Sequence, residues 1–71
     1  MQKSDRTGPE QKEWRESRAW QRSWLAAQLG VSPSAMRKWE QPNTFVPLIV
    51  VIACEALDAR MEQLKKTSNG D

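Results

Sequence analysis

Apolar positions along the chain cluster mainly in three patches, each of which predicts a helix. In the first, Leu25 and Leu29 stand four residues apart with Ala26 beside the former. That spacing makes a narrow inward stripe and predicts a short helix from about Gln21 to Leu29. Gly30 follows, and a residue without a Cβ ends a helix in left-handed backbone at little cost. In the second patch Ser32 and Pro33 supply an N-cap and a first helical position. Ala35, Met36 and Trp39 then share one face, while Ser34, Arg37, Lys38 and Gln41 occupy the other. The run stops before Pro42, and at 1.5 Å per residue it makes a rod of about 12 Å.

The third patch, Val46 to Ala59, is the most apolar. VPLIVVIA alone would pass for a strand, but its continuation as CEALDARMEQL decides for a helix opened by Pro47 and reaching Leu64. This helix is apolar over more than half its circumference. Leu48, Ile49, Ile52, Ala53, Ala56 and Leu57 are assigned to the domain interior, which leaves Val50, Val51, Cys54 and Met61 over. Upstream, Pro9 suits a first helical turn, and Glu10 and Glu13 suit its positive end. This predicts a helix from about Glu10 to Arg18, anchored by Trp14. Gln41 to Val46 is a loop. The expected architecture is one all-α, compact four- to five-helix domain over residues 10–64, with flexible segments at 1–9 and 65–71.

Composition narrows the function. Seventy-one residues support only a marginal core. A single cysteine and no histidine exclude a disulfide framework and a histidine-based metal site. The acids are scattered along helix surfaces rather than converging, so an enzyme is not expected, nor a cofactor, a metal or a small-molecule ligand. The N-terminal segment has no apolar core of the kind a signal peptide needs. The apolar run is too short to span a membrane and is interrupted by Glu55 and Asp58. The expectation is a soluble cytoplasmic protein. Net charge is only +2, but its distribution is uneven. Arg18, Arg22, Arg37 and Lys38 lie between Ser17 and Trp39 with no acid among them. Such a local excess attracts polyanions more than the net count suggests.

Two short helices joined by a glycine turn are the ingredients of a helix-turn-helix, in which the second helix presents its outer face to base edges. Leu25, Ala26, Leu29, Val31, Met36 and Trp39 would seat the helices, and Gly30 would permit the turn. Arg22, Ser32, Ser34, Arg37 and Lys38 would remain outside. The string L-A-x-x-L-G-V-S-x-x-x-M-x-x-W-E over Leu25–Glu40 resembles the lambda-repressor-like domains of phage Cro and repressor proteins and the Xre-type regulators. The likeness continues through Pro47 and Ile52-Ala53-Cys54-Glu55-Ala56-Leu57, and covers about residues 14–58. The size and the ending also resemble short phage-borne regulators, including anti-CRISPR-associated autorepressors. The resemblance implies a homodimer that binds an inverted-repeat operator in double-stranded DNA and represses transcription, with the helix after Gly30 in the major groove.

Departures from the pattern are specific. Arg22 stands where the family usually has a phosphate-bracing glutamine, and Pro42 where it usually has glycine. Pro33 occupies a position that often reads a base, yet it has no donor and could make only apolar contact, as with a thymine methyl. Arg22 is read as a phosphate clamp rather than a solvated charge, with Gln21 a weaker phosphate candidate. Ser32 caps its helix and could also touch phosphate. Ser34, Arg37 and Lys38 are the expected DNA contacts, with Arg37 or Lys38 able to bond guanine O6 and N7. Trp14, Trp20 and Trp39 are read as core. Trp24 is expected partly buried against the first or last helix, with a partner contact as the second reading. Cys54 is read as a small buried hydrophobe. The surplus face of the last helix, Val50, Val51, Cys54 and Met61, has two readings, full burial in the core of a small domain or packing on a twin, and is assigned to dimerisation. The competing class is a protein-interaction module, an antitoxin or inhibitor, using Trp24 and the last helix.

Overall fold

A computed structural model describes residues 2–69, the side chains of 66–69 excepted. In chain order the elements are β1 (Lys3–Thr7), α1 (Gly8–Glu16), α2 (Arg22–Leu29), α3 (Pro33–Trp39), β2 (Phe45–Pro47) and α4 (Leu48–Asn69). The described residues are therefore mostly helical, with four helices and one small antiparallel sheet of β1 on β2. It is not purely all-α.

The sheet corrects the expectation of a flexible segment at 1–9, and it occupies part of the predicted loop at 41–46. Its register runs from Lys3 opposite Pro47 to Thr7 opposite Phe45, with an irregularity between them. Hydrogen bonds continue beyond the ladder: Leu48 N–H donates to Gln2 O at 2.7 Å and Gly8 N–H to Thr44 O at 2.7 Å. The Ser4 hydroxyl donates to Val46 O, also at 2.7 Å. Polar side chains and backbone, not an apolar alternation, hold β1 in place. Hydrophobic periodicity has no means of revealing such a strand.

Thr7 starts α1 through a capping box. Its hydroxyl accepts from Glu10 N–H, and its own N–H donates to the Glu10 carboxylate at 2.8 Å. The buried positions of α1 are Gly8, Gln11 and Arg15, so its inward stripe is polar. After α1, Ala19 takes the left-handed conformation at φ 57°, and Trp20 N–H reaches back to Arg15 O at 3.4 Å. The three tryptophans around this turn pack in series. Trp14 meets Trp20 edge-on at 5.5 Å, and Trp20 meets Trp24 at 5.1 Å.

The core consists of Leu25, Ala26, Met36, Val46, Val50, Val51 and Cys54. Trp14, Trp20, Trp24, Leu29, Val31, Trp39 and Leu57 are packed around it, each partly buried. Trp24 thus lies against Trp20 at the α1–α2 turn.

Helix α4 reverses part of the sequence assignment, although Leu57 packs against the core as expected. Val50, Val51 and Cys54 are core residues, 7%, 9% and 0% exposed, and Met61 is half-buried on the same side. Ile49 and Ile52, assigned to the interior, are 61% and 55% exposed. The dimerisation set of Val50, Val51 and Cys54 is therefore withdrawn, because those side chains are consumed by the fold. The reason is what that face meets: the buried Gln11 side chain of α1 reaches the Cys54 sulfur at 3.6 Å, and Asp58 pairs with Arg18. α4 also runs five residues past the expected end at Leu64, to Asn69. Of the predicted tail, residues 70 and 71 lie outside the described residues.

Candidate nucleic-acid interface

The segment from α2 to α3 is built by local rules. Gly30 closes α2 in left-handed backbone, φ 74°. Its N–H and that of Val31 return to Ala27 O and Ala26 O at 3.3 and 3.0 Å, satisfying carbonyls that the helix end would orphan. Ser32 caps α3, its hydroxyl accepting from Ala35 N–H at 3.1 Å, and Pro33 follows as the first helical residue. Met36, fully buried, seats α3 in the core next to Leu25 and Ala26. α2 packs against α3 more extensively than any other two helices pack together.

The outer face of α3 is polar and cationic. Ser32, Pro33, Ser34, Arg37, Lys38 and Gln41 are all exposed. Arg37 and Lys38 have no ion-pair partner among the described residues, and α3 carries no acid in its first turn to oppose them. Gln41 is tied back, its side-chain amide donating to Arg37 O at 3.4 Å. The structure therefore brings Ser34, Arg37 and Lys38 onto one exposed surface with the cap residue Ser32 and the first helical residue Pro33. Gln21 is the exposed N-cap of α2 and makes no capping bond through its side chain.

Arg22 differs from the sequence picture. Its Nε donates to the Glu40 carboxylate at 3.1 Å. Glu40 also accepts from Arg15 Nε at 2.7 Å and Nη2 at 3.2 Å. The Glu40 and Arg15 side chains are 3% and 8% exposed, against 34% for Arg22. Burial alone would push the Glu40 carboxyl up, but the hydrogen bonds from Arg15 and Arg22 outweigh it and hold it below the usual carboxylate range. Arg15 is further fixed by donating through Nη1 to Trp20 O at 2.8 Å. One buried carboxylate from the end of α3 thus clamps α1 and α2 together.

Arg18 is also partnered. It makes a two-pronged pair with Asp58 of α4, 2.9 Å on each prong, and this hydrogen bonding holds the Asp58 carboxyl low and the Arg18 guanidinium high. Arg18 lies 4.1 Å above the Trp14 ring centroid, and Arg6 lies 5.2 Å from the same ring. So two of the four cations in the acid-free window are neutralised by acids outside it, Glu40 and Asp58. The unpaired charge narrows to Arg37 and Lys38.

Sequence reasoning missed Arg15, Glu40 and Gln11. Their one available signal was the spacing of Gln11 and Arg15 on a helix with almost no apolar residues, which implies a polar inward face. Burial pushes the Cys54 thiol up, and it is the free cysteine of the core. Among the described residues no cluster of histidine, cysteine or carboxylate side chains could hold a metal, and no helix is long and apolar enough to cross a membrane. Comparison of the chain with protein-family models, with curated proteins and with solved structures returns no match.

Proposed function

We propose that α2, the Gly30 turn and α3 form a helix-turn-helix that binds double-stranded DNA, with α3 in the major groove, and that the chain is a sequence-specific transcriptional regulator acting as a homodimeric repressor on an inverted repeat. The observation that carries the reading is the surface of α3. Its apolar side is anchored by Met36, while Ser34, Arg37 and Lys38 stand exposed, the two cations without an ion-pair partner among the described residues. Arg37 and Lys38 meet guanine edges or phosphates, Ser34 adds a short-range bond, and Pro33 makes apolar contact. Arg22 and Gln21 lie at the start of α2 and contact the DNA backbone. The Glu40 bond engages Arg22 through Nε and leaves its terminal nitrogens for a phosphate. Ser32 serves as the cap of α3 and lies at the edge of the same surface.

The test is a titration of the chain into labelled duplex from the region upstream of its gene, with shuffled duplex as control. Arg37→Ala with Lys38→Ala should weaken specific binding at least tenfold and reduce the slope of log affinity against log salt by about two. Unchanged affinity overturns the role given to α3. A second reading, a protein-interaction module of the antitoxin or inhibitor type, is favoured by the exposed Ile49 and Ile52 of α4. It predicts stoichiometric capture of a protein partner with little salt dependence and no shift of DNA.

A further inference from the structure

Helix α4 has two apolar faces, and the fold covers only one. Val50, Val51, Cys54 and Leu57 face the domain. On the other side Ile49 and Ile52 are 61% and 55% exposed, and Ala56 and Ala59 continue the stripe, also exposed. These four positions repeat at spacings of three, four and three, the seam of a heptad. Leu48, Ile49 and Ile52, with Gln2, line a shallow groove of about 390 Å³ at one end of the seam. The seam is flanked by Leu48, Glu55 and Glu62 on one side and by Ala53 and Arg60 on the other. Glu55 and Arg60 are exposed and have no ion-pair partner among the described residues.

We propose that a second copy of this chain covers the seam, α4 against α4, with the two helices parallel. Charge selects both the occupant and the direction. In a parallel heptad pair, the flanking residue on one side of the seam meets the partner residue five positions further on. Glu55 then faces Arg60 of the partner copy, and two-fold symmetry makes the pair twice. The same rule sets Leu48 against Ala53 of the partner copy, apolar on apolar. An antiparallel arrangement that overlaps the whole stripe from Ile49 to Ala59 instead sets Glu55 against its own equivalent, like charge on like. A chain built to pair with itself in parallel has the complementary charges placed where these two are. Two isoleucines followed by two alanines make a short seam, so the dimer is one that dissociates on dilution. This inference deepens the dimeric part of the DNA-binding reading and replaces the face first assigned to it. Its test uses no DNA, so the two stand or fall separately.

The experiment is sedimentation velocity on the full chain from micromolar to millimolar concentration. The wild-type chain should pass from monomer to dimer across that range. Ile52→Glu should remain monomeric with unchanged helix content and melting temperature, since the side chain it replaces lies outside the core. Glu55→Arg and Arg60→Glu should each weaken the dimer more than tenfold, and the two together should restore it. A wild-type chain that stays monomeric throughout gives the seam to a foreign partner and overturns the proposal. So does a dimer that survives Ile52→Glu, and so does a double charge reversal that fails to recover what the single changes lost.

Discussion

Replacing Glu40 by glutamine should cost this domain about 3 kcal/mol of stability, a large share of what holds it together. Glu40 accepts three hydrogen bonds from two guanidiniums, at 2.7, 3.2 and 3.1 Å. Bonds to charged groups contribute about 1.5–3 kcal/mol each, so the gross interaction is about 4.5–9 kcal/mol. Two effects reduce the loss. Glutamine keeps one carbonyl acceptor, and Arg22, a third exposed, can turn into water. Arg15 has no such escape: its side chain is 8% exposed and pinned to Trp20 O. What remains is an uncompensated buried guanidinium, and breaking a buried pair in this way costs about 3–5 kcal/mol. A domain of 71 residues at about 0.05–0.15 kcal/mol per residue has about 4–11 kcal/mol in all. Urea unfolding followed by circular dichroism measures the difference directly.

The same geometry orders the partner substitutions. Arg15→Ala should cost more than Arg22→Ala, which should lose only about 1 kcal/mol because solvent screens its half of the cluster. The pH dependence follows in sign. The Glu40 carboxyl titrates lower in the folded chain than the ordinary 4.5 of the unfolded one. Its contribution is therefore complete above about pH 5 and disappears as pH falls through the folded value. Glu40→Gln should flatten that part of the acid limb. A loss below about 1 kcal/mol for Glu40→Gln, or a larger loss at Arg22 than at Arg15, refutes the reasoning, because the cluster would then be solvated in the way surface pairs are.

Backbone conformation supplies a pair of opposite outcomes in thermal melts. Ala19 holds left-handed backbone at φ 57° with a Cβ, so Ala19→Gly should stabilise the chain or leave it unchanged, by up to about 1 kcal/mol. Gly30 holds φ 74° with open space where a Cβ would go, so Gly30→Ala should lose about 1 kcal/mol through backbone strain alone, a fall in Tm of about 4–8 °C. At Gly8 the obstacle is steric: a Cβ there would overlap the carbonyl of Gln41. Gly8→Ala should cost about 3 kcal/mol and detach β1, which amide hydrogen exchange at position 8 and at Leu48 would register. Cys54 should resist an aromatic disulfide reagent until the chain unfolds, since burial holds the thiol protonated; labelling at the rate of a free thiol in the native state would contradict its placement.

The parts of the fold that were legible in the sequence are those set by local chemistry. The cap at Ser32, the proline after it and the turn at Gly30 fall where the residue types place them, since each satisfies backbone groups within a few residues. The exposed face of α3 follows from the period that buries Met36. What was illegible depends on partners distant in the chain. β1 has no apolar alternation, and its bonds go to residues 44–48. The charge count over Ser17–Trp39 was correct as arithmetic, yet Glu40 lies one residue beyond it and Asp58 forty residues from Arg18, and those two acids halve the unpaired charge. A window drawn along the chain misjudges a field in space. The faces of α4 show the same limit. Periodicity finds apolar stripes but cannot rank two of them on one helix. The ranking comes from what each stripe meets: Cys54 admits the Gln11 side chain, and Asp58, on the same side, reaches Arg18. Ile49 and Ile52 stay mostly exposed instead. An aliphatic stripe left outside by a domain this small is the feature least explained by its own folding, and Glu55 and Arg60, set five residues apart beside it, are what a second copy would read.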